Sequence, residues 1–195
     1  MRISEAVKIR MLRFLGSFSE KEWRMNGHSK KDLPYIINIF LSLLPHIEGG
    51  NYFELGCGTG ILCKFIYLFS PSKIIPYGID LSQENISLAA KNNPKFRANF
   101  FHGDYFRFDF TQIREISTVV IFISSDKPWD RVKSLIIKLL SKNKCNKIIL
   151  FCYEENFLGS ETVISNIFDM LLKKYNYALC RDNKFVVFER LPFVP

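Results

Sequence analysis

The stretch FELGCGTGI, residues 53–61, places three glycines, Gly56, Gly58 and Gly60, within five residues between two apolar segments. Glycine tolerates positive φ and has no Cβ, so a cluster between a strand and a helix indicates a backbone that lies close to a ligand. An ordinary turn needs no such cluster, because each glycine adds conformational entropy to the unfolded chain. The stretch therefore predicts a binding loop that follows a strand.

Short apolar runs alternate with helical patterns after this loop. The apolar runs are NYFEL, YGI, ANFFH, TVVIFIS and KIILFC, and the helical patterns between them are GILCKFIYLF, QENISLAAKN and DRVKSLIIKLL. This alternation predicts βαβ units and a parallel sheet, that is, an α/β doubly wound fold. Pro76 cannot donate to a sheet ladder, so the second strand is predicted to be short and to begin after it.

The alternation ends near the C-terminus. After a predicted helix at about residues 161–174, the segments YNYALCR and KFVVFER are separated only by Asp182 and Asn183. Two turn-forming residues can join only antiparallel neighbours, so these segments are predicted to form a hairpin.

The N-terminal residues predict two helices before the sheet. The second of them is expected from Leu33 to Leu44, with Pro34 in its first turn and Pro45 ending it. The first is a basic amphipathic helix, either packed on the domain or acting as a substrate-facing arm. Its apolar residues recur at helical spacing: Ile3, Val7, Met11, Phe14 and Phe18.

Composition limits the class of protein. A chain of 195 residues suits one domain, and no run of 18 residues lacks charges, so no membrane span is expected. The N-terminus lacks the uninterrupted apolar core of a secretory signal, which favours a cytoplasmic location. The five cysteines form no CxxC pair, so neither a disulfide framework nor a zinc site is predicted. The net charge of +8 fits either a polyanionic partner or solvated surface lysines.

The glycine spacing separates two classes of nucleotide cofactor. A nicotinamide-type GxGxxG fingerprint requires glycine at position 61, where this chain has Ile61. The pattern from Glu54 to Gly60 instead resembles the first motif of the class I S-adenosylmethionine-dependent methyltransferases. Asp80, in YGIDLS, and Asp104, in FFHGDYF, resemble the acidic residues that follow the second and third strands of that family.

The resemblance covers roughly residues 33–190 and implies a Rossmann-like, mostly parallel seven-stranded sheet with the C-terminal antiparallel hairpin. It implies a single methyltransferase domain in which N-terminal helices, residues 1–45, cover the site of a core formed by residues 51–190. In the family, the residue matching Asp80 accepts hydrogen bonds from both ribose hydroxyls, and the one matching Asp104 accepts from the adenine amino group. The implied S-adenosylmethionine-binding residues are Glu54, Gly56, Cys57, Gly58, Gly60, Asp80, Leu81, Asp104 and Tyr105.

The loop after the fourth strand reads ISSDKPWD, residues 123–130. It resembles the Asp/Asn/Ser-Pro-Pro-aromatic motif of amino-group methyltransferases, with Asp126, Pro128 and Trp129 matching and Lys127 in place of the first proline. The resemblance implies a catalytic role for Asp126 and stacking of Trp129 on a planar acceptor. The alternative is that this segment only starts the next helix, with Asp130 as its N-cap.

Three histidines are candidate bases because imidazole titrates near neutrality. His46 is predicted to be structural and His102 to be a packing residue, whereas His28 lies in a polar segment that can cover the pocket. His28, Tyr35 and Trp23 are therefore predicted to face the substrate. The leading acceptor is a nitrogen of RNA, DNA or protein, and no metal is expected. The alternatives are a small-molecule acceptor or a protein that binds the cofactor without catalysis.

Overall fold

Strands and helices alternate along the residues that the computed structural model describes, namely 4–123, 129–141, 145–152, 177–182 and 185–190. The chain divides into two units, Met1–Tyr105 and Phe106–Pro195. The helices are α1 (Glu5–Gly16), α2 (Glu20–Met25), α3 (Leu33–Leu43), α4 (Ile61–Phe69), α5 (Gln83–Asn92) and α6 (Trp129–Ser141). The strands are β1 (Gly50–Leu55), β2 (Ile74–Asp80), β3 (Phe100–His102), β4 (Ile116–Ile123), β5 (Cys145–Cys152), β6 (Tyr177–Asp182) and β7 (Phe185–Arg190).

The first unit contains three parallel strands in the order β3-β2-β1. Leu55 of β1 pairs with Ile79 of β2, and Asp80 of β2 pairs with His102 of β3. The three strands therefore end together, as the βαβ pattern predicts. Their connections, α4 and α5, pack against β2, and α5 also packs against β3.

The prediction that β2 begins after Pro76 is wrong. The strand starts at Ile74, and Pro76 pairs with Tyr52 of β1 in the regular register. The carbonyl of Pro76 accepts a hydrogen bond from Asn99, on the β3 side of the strand. The missing N–H points to that same side, where β3 begins only opposite Gly78. No ladder bond is lost, which is how a strand tolerates proline at an open stretch of edge.

The N-terminal helices start at serine caps. The Ser4 hydroxyl accepts from the Val7 N–H at 3.4 Å, and Ser19 forms a capping box with Glu22. Helix α2 was not predicted, because six residues are too few for a clear apolar period. Helix α3 matches its prediction to within one residue, and Pro45 lies in the 3₁₀ turn Leu44–His46 that follows it.

Aromatic side chains hold α1 and α3 against α4. Phe65 of α4 lies 5.1 Å from Phe40 of α3 and 6.4 Å from Phe14 of α1, measured between ring centroids. Met11 and Leu15 are buried on the same helix as Phe14, whereas Val7 is exposed, so the apolar face of α1 is shorter than predicted. The N-terminal segment is thus part of the core of its unit.

The second unit contains β4, β5, β7 and β6, in that order. β4 and β5 are parallel, and β7 is antiparallel to both β5 and β6, so the predicted hairpin is confirmed. Residues 116–121 of β4 are all buried, as in a strand covered on both faces. The predicted helix at 161–174 lies outside the described residues.

Candidate functional site

The carboxyl ends of β1, β2 and β3 bring the predicted binding residues to one edge of the first unit. The N–H of Gly56, directly after β1, donates to Ile79 O at 2.8 Å, and the Gly103 N–H donates to Asp80 O at 2.9 Å. Asp104 follows Gly103 in the chain. Ligands of α/β sheets bind outside the carboxyl ends of the strands, so this edge is the candidate site.

The three glycines of the loop have positive φ, from +51° at Gly58 to +78° at Gly56, but different surroundings. A Cβ on Gly58 would collide with Asn26 Oδ1, and one on Gly60 would lie 2.8 Å from Asn93 Nδ2. A Cβ on Gly56 would meet only Tyr105 Cε1, at 4.0 Å. Gly58 and Gly60 are therefore required because other side chains of the protein fill the space where a Cβ would lie. Of the three glycines, only Gly56 has an open face that a ligand can contact.

Asn26, which sequence reasoning missed, holds the loop from outside. Its Nδ2 donates to Thr59 Oγ1 at 2.6 Å and to Glu22 O at 2.7 Å, and its Oδ1 accepts from the Thr59 N–H at 3.0 Å. Asn26 caps the C-terminus of α2, so the short N-terminal helix is fixed to the glycine loop. The only sequence signal is an asparagine before Gly27, which indicates a helix end but not its partner 33 residues away.

Two further asparagines support the loop from the end of α5. Asn92 Nδ2 donates to Thr59 O at 2.9 Å and to Glu22 Oε1 at 3.1 Å. Asn93, which is buried, donates from Nδ2 to Gly60 O at 3.1 Å. Side-chain amides thus satisfy two backbone carbonyls of the loop, and these hydrogen bonds fix its shape.

Asp80 is half-buried and already accepts three hydrogen bonds. Its Oδ2 accepts from the Gly58 N–H at 2.9 Å, and its Oδ1 accepts from the Ser82 N–H at 2.9 Å and Asn85 Nδ2 at 3.0 Å. A carboxylate has about four lone-pair sites, so little capacity remains for a ligand. Asp80 therefore fixes the glycine loop as well as offering an acceptor at the edge.

Glu54 lies inside the protein and not at the edge. It is 4% exposed, and the Cys63 thiol donates to its Oε2 at 3.1 Å. Burial, assisted by repulsion from Asp80, raises the pKa of Glu54 to about 8. The Cys57 thiol is likewise buried, beside Gly78, so Cys57 can face a ligand only through its backbone. Both residues support the loop from behind.

The other predicted cofactor residues differ in exposure. Leu81 is 69% exposed, Asp104 is half-buried, and Tyr105 is buried with its ring edge beside Gly56. His102 Nε2 lies 3.0 Å from Leu81 O, and the residue is exposed, so the prediction that His102 is a packing residue is not supported. An exposed leucine beside two carboxylates gives the edge both an apolar surface and acceptors, as binding sites for small ligands require.

The residues predicted to face a substrate separate into two groups. Trp23 is 1% exposed, packs edge-on against Phe18 and donates from Nε1 to Leu15 O at 3.3 Å, so its predicted substrate role is wrong. Tyr35 is 42% exposed on α3. His28 is half-buried, and burial lowers its pKa, so the imidazole is neutral at neutral pH.

The structure describes only part of the predicted acceptor motif. Asp126 and Pro128 lie outside the described residues, and Trp129 is the first residue of α6. Asp130 therefore lies inside the first turn of α6. The alternative interpretation predicted that Asp130 is the N-cap of this helix, and on that point it is wrong. Within the described ranges, no group of three or more His, Cys, Asp or Glu side chains could hold a metal ion. The helices of the described part of the chain are all too short or too polar to cross a membrane.

Comparison with known structures identifies the fold. No protein-family model matches the chain, and no curated protein matches it in sequence. A putative RNA methyltransferase from Pyrococcus horikoshii is 12% identical with a TM-score of 0.57, over 98% of this chain and 100% of that one. The plantazolicin methyltransferase BpumL, solved with S-adenosylhomocysteine, is 14% identical with a TM-score of 0.57, over 95% and 96%.

The chain has the fold of the class I S-adenosylmethionine-dependent methyltransferases. The small RNA methyltransferase HEN1 is a third similar structure, 16% identical with a TM-score of 0.57, over 82% of this chain. The chain matches only 25% of the length of HEN1. The resemblance of the sequence motifs to this family is thus confirmed at the level of the fold.

Proposed function

We propose that the protein binds S-adenosylmethionine at the carboxyl edge of β1, β2 and β3. The observation that carries this is the open face of Gly56 at the same edge as Asp80 and Asp104. A ribose diol and an adenine amino group are donors, and the two carboxylates are acceptors. S-adenosylhomocysteine in the BpumL structure supports the choice of cofactor.

The predicted cofactor residues take different roles in this proposal. Gly56, Asp80, Leu81, Asp104 and Tyr105 form the surface that meets the cofactor. Glu54, Cys57, Gly58 and Gly60 fix the loop from its inner side. Asp80 does both, because it accepts from the Gly58 N–H and keeps a lone pair for a ribose hydroxyl.

The activity that we propose is methyl transfer. Bound S-adenosylmethionine supplies an electrophilic methyl group on a sulfonium, so the protein mainly needs to align a nucleophile with it, and such positioning can lower a barrier by about 7 to 11 kcal/mol. Asp126 is the proposed base, or the residue that accepts a hydrogen bond from the amino group of the substrate. Trp129, His28 and Tyr35 are the proposed substrate contacts. We infer that residues 1–45 cover the site and that β1–β7 belong to one seven-stranded sheet in a single cytoplasmic domain.

The leading acceptor is a nitrogen of RNA, DNA or protein. The net charge of +8 supports a polyanionic partner. A small-molecule or peptide acceptor is the second candidate, because the chain and the plantazolicin methyltransferase match over nearly their whole lengths. A cofactor-binding protein without catalysis is the outcome if no acceptor is methylated.

Calorimetry tests the cofactor. We expect S-adenosylmethionine and S-adenosylhomocysteine to bind and NAD to bind far more weakly, since Ile61 breaks the nicotinamide fingerprint. Tight NAD binding without a response to S-adenosylhomocysteine would falsify the assignment.

Labelled cofactor tests the acceptor. Methyl transfer is measured into total RNA, DNA, protein and metabolite fractions. Label in a polymer fraction supports the leading acceptor, and label only in the metabolite fraction rules it out. The labelled fraction then serves as substrate for Trp129→Ala, which we expect to lower turnover with cofactor affinity unchanged.

A further inference from the structure

A cavity of about 340 Å³ lies within the second unit, against one face of α6. Arg131, Ser134, Leu135 and Lys138 of α6 line it, at the i, i+3, i+4, i+7 spacing that places side chains on one helix face. The rest of the lining is Asp130, Phe106 and Arg107. The lining thus has three cations and one carboxylate, with an apolar floor from Leu135, which is buried.

Cationic and aromatic planes are paired in this cavity. The guanidinium carbon of Arg131 lies 4.2 Å from the centroid of the Phe106 ring. Both groups are flat, and nucleobases stack on aromatic rings and on guanidinium planes alike. Arg107 and Arg131 are exposed, so both can reach a ligand from solvent.

Lys138 gives the cavity a fixed cation at its far end. Its Nζ donates to Phe108 O at 2.9 Å and lies 5.4 Å from the centroid of the Phe110 ring. Along the axis of α6, Lys138 is about 10 Å from Arg131, seven residues at roughly 1.5 Å each. This distance exceeds the size of a single phosphate, so the cations suit a ligand that carries more than one.

We propose that this cavity, defined by Phe106, Arg107, Asp130, Arg131, Ser134, Leu135 and Lys138, binds a single-stranded nucleic acid. One base stacks on the Phe106–Arg131 pair from the open side of the cavity, because a separation of 4.2 Å leaves no room between the two groups. The phosphates on either side lie against Arg107 and Lys138. An acidic peptide would satisfy the cations but would not use the ring of Phe106. The proposal rests on the proposed function, since it makes a nucleic acid the acceptor class.

Fluorescence anisotropy with labelled oligonucleotides of about 12 nucleotides tests the site. Single-stranded RNA and DNA of one sequence distinguish the two sources, and a duplex tests the need for an accessible base. We expect a single strand to bind more tightly than the duplex. Arg107→Ala and Arg131→Ala should each weaken binding roughly three- to tenfold and lower the salt slope by about 0.7.

Phe106→Leu and Lys133→Ala complete the set. Phe106→Leu keeps an apolar side chain but removes the ring, and should weaken binding about fivefold or more. Lys133 is on α6 but does not line the cavity, so Lys133→Ala should bind as the wild type does. Circular dichroism confirms that each variant is folded.

Three outcomes overturn the proposal. The first is that no single strand binds, and the second is that Lys133→Ala loses as much affinity as the cavity variants. The third is that polyglutamate displaces RNA as readily as unlabelled RNA does. Calorimetry with S-adenosylhomocysteine on the same preparations separates this result from the cofactor assignment. Cofactor binding without nucleic-acid binding rejects only the cavity proposal. Nucleic-acid binding without cofactor binding rejects the proposed function, and with it the role of the nucleic acid as methyl acceptor, but leaves the cavity as a nucleic-acid site.

Discussion

The two halves of the glycine loop look alike in sequence but differ in their environment. On the inner half, Gly58 and Gly60 lie against Asn26 and Asn93, and Glu54 is buried beside Cys63. On the outer half, Gly56 is exposed and faces open space. A glycine-rich motif therefore combines two requirements, close packing within the protein and access for a ligand. Substitutions in the inner half should affect stability, and those in the outer half should affect binding.

The largest effect is expected from Gly58→Ala. The new Cβ would displace Asn26 Oδ1, and an alanine at φ +51° is itself strained by about 1 to 2 kcal/mol. Moving Asn26 also forfeits its three hydrogen bonds. We expect the free energy of unfolding, measured in urea, to fall by about 3 kcal/mol.

A double-mutant cycle isolates the collision. In an Asn26→Ala background, Gly58→Ala should cost only the backbone strain, which gives a coupling energy of about 1 to 2 kcal/mol. A coupling near zero would show that Asn26 does not restrict the residue at position 58. Gly27→Ala serves as the matched control, because its φ is +76° and no atom lies within 4 Å of the added Cβ.

The next largest effect is expected from Asp80→Ala. Asp80 belongs to both halves, because it holds the Gly58 N–H and is proposed to bind the cofactor. The substitution removes an acceptor for the ribose and also the partner of the Gly58 N–H. A charge-assisted hydrogen bond contributes about 1.5 to 3 kcal/mol, so the affinity for S-adenosylhomocysteine should fall roughly ten- to a hundredfold. Calorimetry measures this fall.

Asp109→Ala is the control for that experiment, since Asp109 caps the 3₁₀ turn Phe110–Gln112 by accepting from Thr111 and is not a cofactor residue in the proposal. An unchanged dissociation constant for Asp80→Ala, with the protein folded, would reject a role for Asp80 in binding.

Much of this region could be predicted from sequence, but the distinction between its halves could not. The strands, the loop and the order of Asp80 and Asp104 follow from local patterns, because hydrophobic periodicity and glycine spacing act over a few residues. Asn26 contacts Thr59 across 33 residues, and no local pattern records that contact. Trp23 was misassigned for the same reason, since its burial depends on packing against α1.

The same limit applies to Pro76 and Glu54. Whether a proline fits a strand depends on which neighbour its N–H would face, and β3 is too short to reach it. The motif identifies Glu54 as an acidic residue, but only the fold shows that it lies behind the loop beside Cys63. Both features depend on neighbours that are distant in sequence and become adjacent only in the folded protein.

A smaller effect, which depends on pH, is expected from Glu54→Gln. The native carboxyl keeps its proton up to a pKa of about 8, whereas the unfolded one loses it near 4.5. Between these values the native state binds more protons, so wild-type stability falls as pH rises, by up to about 1.4 kcal/mol per unit. Glutamine is neutral throughout, so the stability of the variant relative to wild type should increase from pH 5.5 to 7.5.

Urea unfolding at several pH values measures this difference, with Glu115→Gln, an exposed carboxyl, as the control. A difference between Glu54→Gln and wild type that is independent of pH would mean that Glu54 is ionised in the folded protein.

The smallest effect on stability, with a clear effect on binding, is expected from Gly56→Ala. Its φ of +78° strains an alanine, but the added methyl group meets only Tyr105 Cε1, at ordinary contact distance. The free energy of unfolding should therefore fall by about 1 to 2 kcal/mol, which lowers the melting temperature by a few degrees. The methyl group projects from the face that the cofactor is proposed to contact, so S-adenosylhomocysteine should bind at least about tenfold more weakly. Differential scanning calorimetry and titration calorimetry on one preparation compare the two effects. If binding is unchanged while stability falls, the open face of Gly56 is not where the cofactor lies, and the division of the loop into a packed half and a ligand-facing half fails.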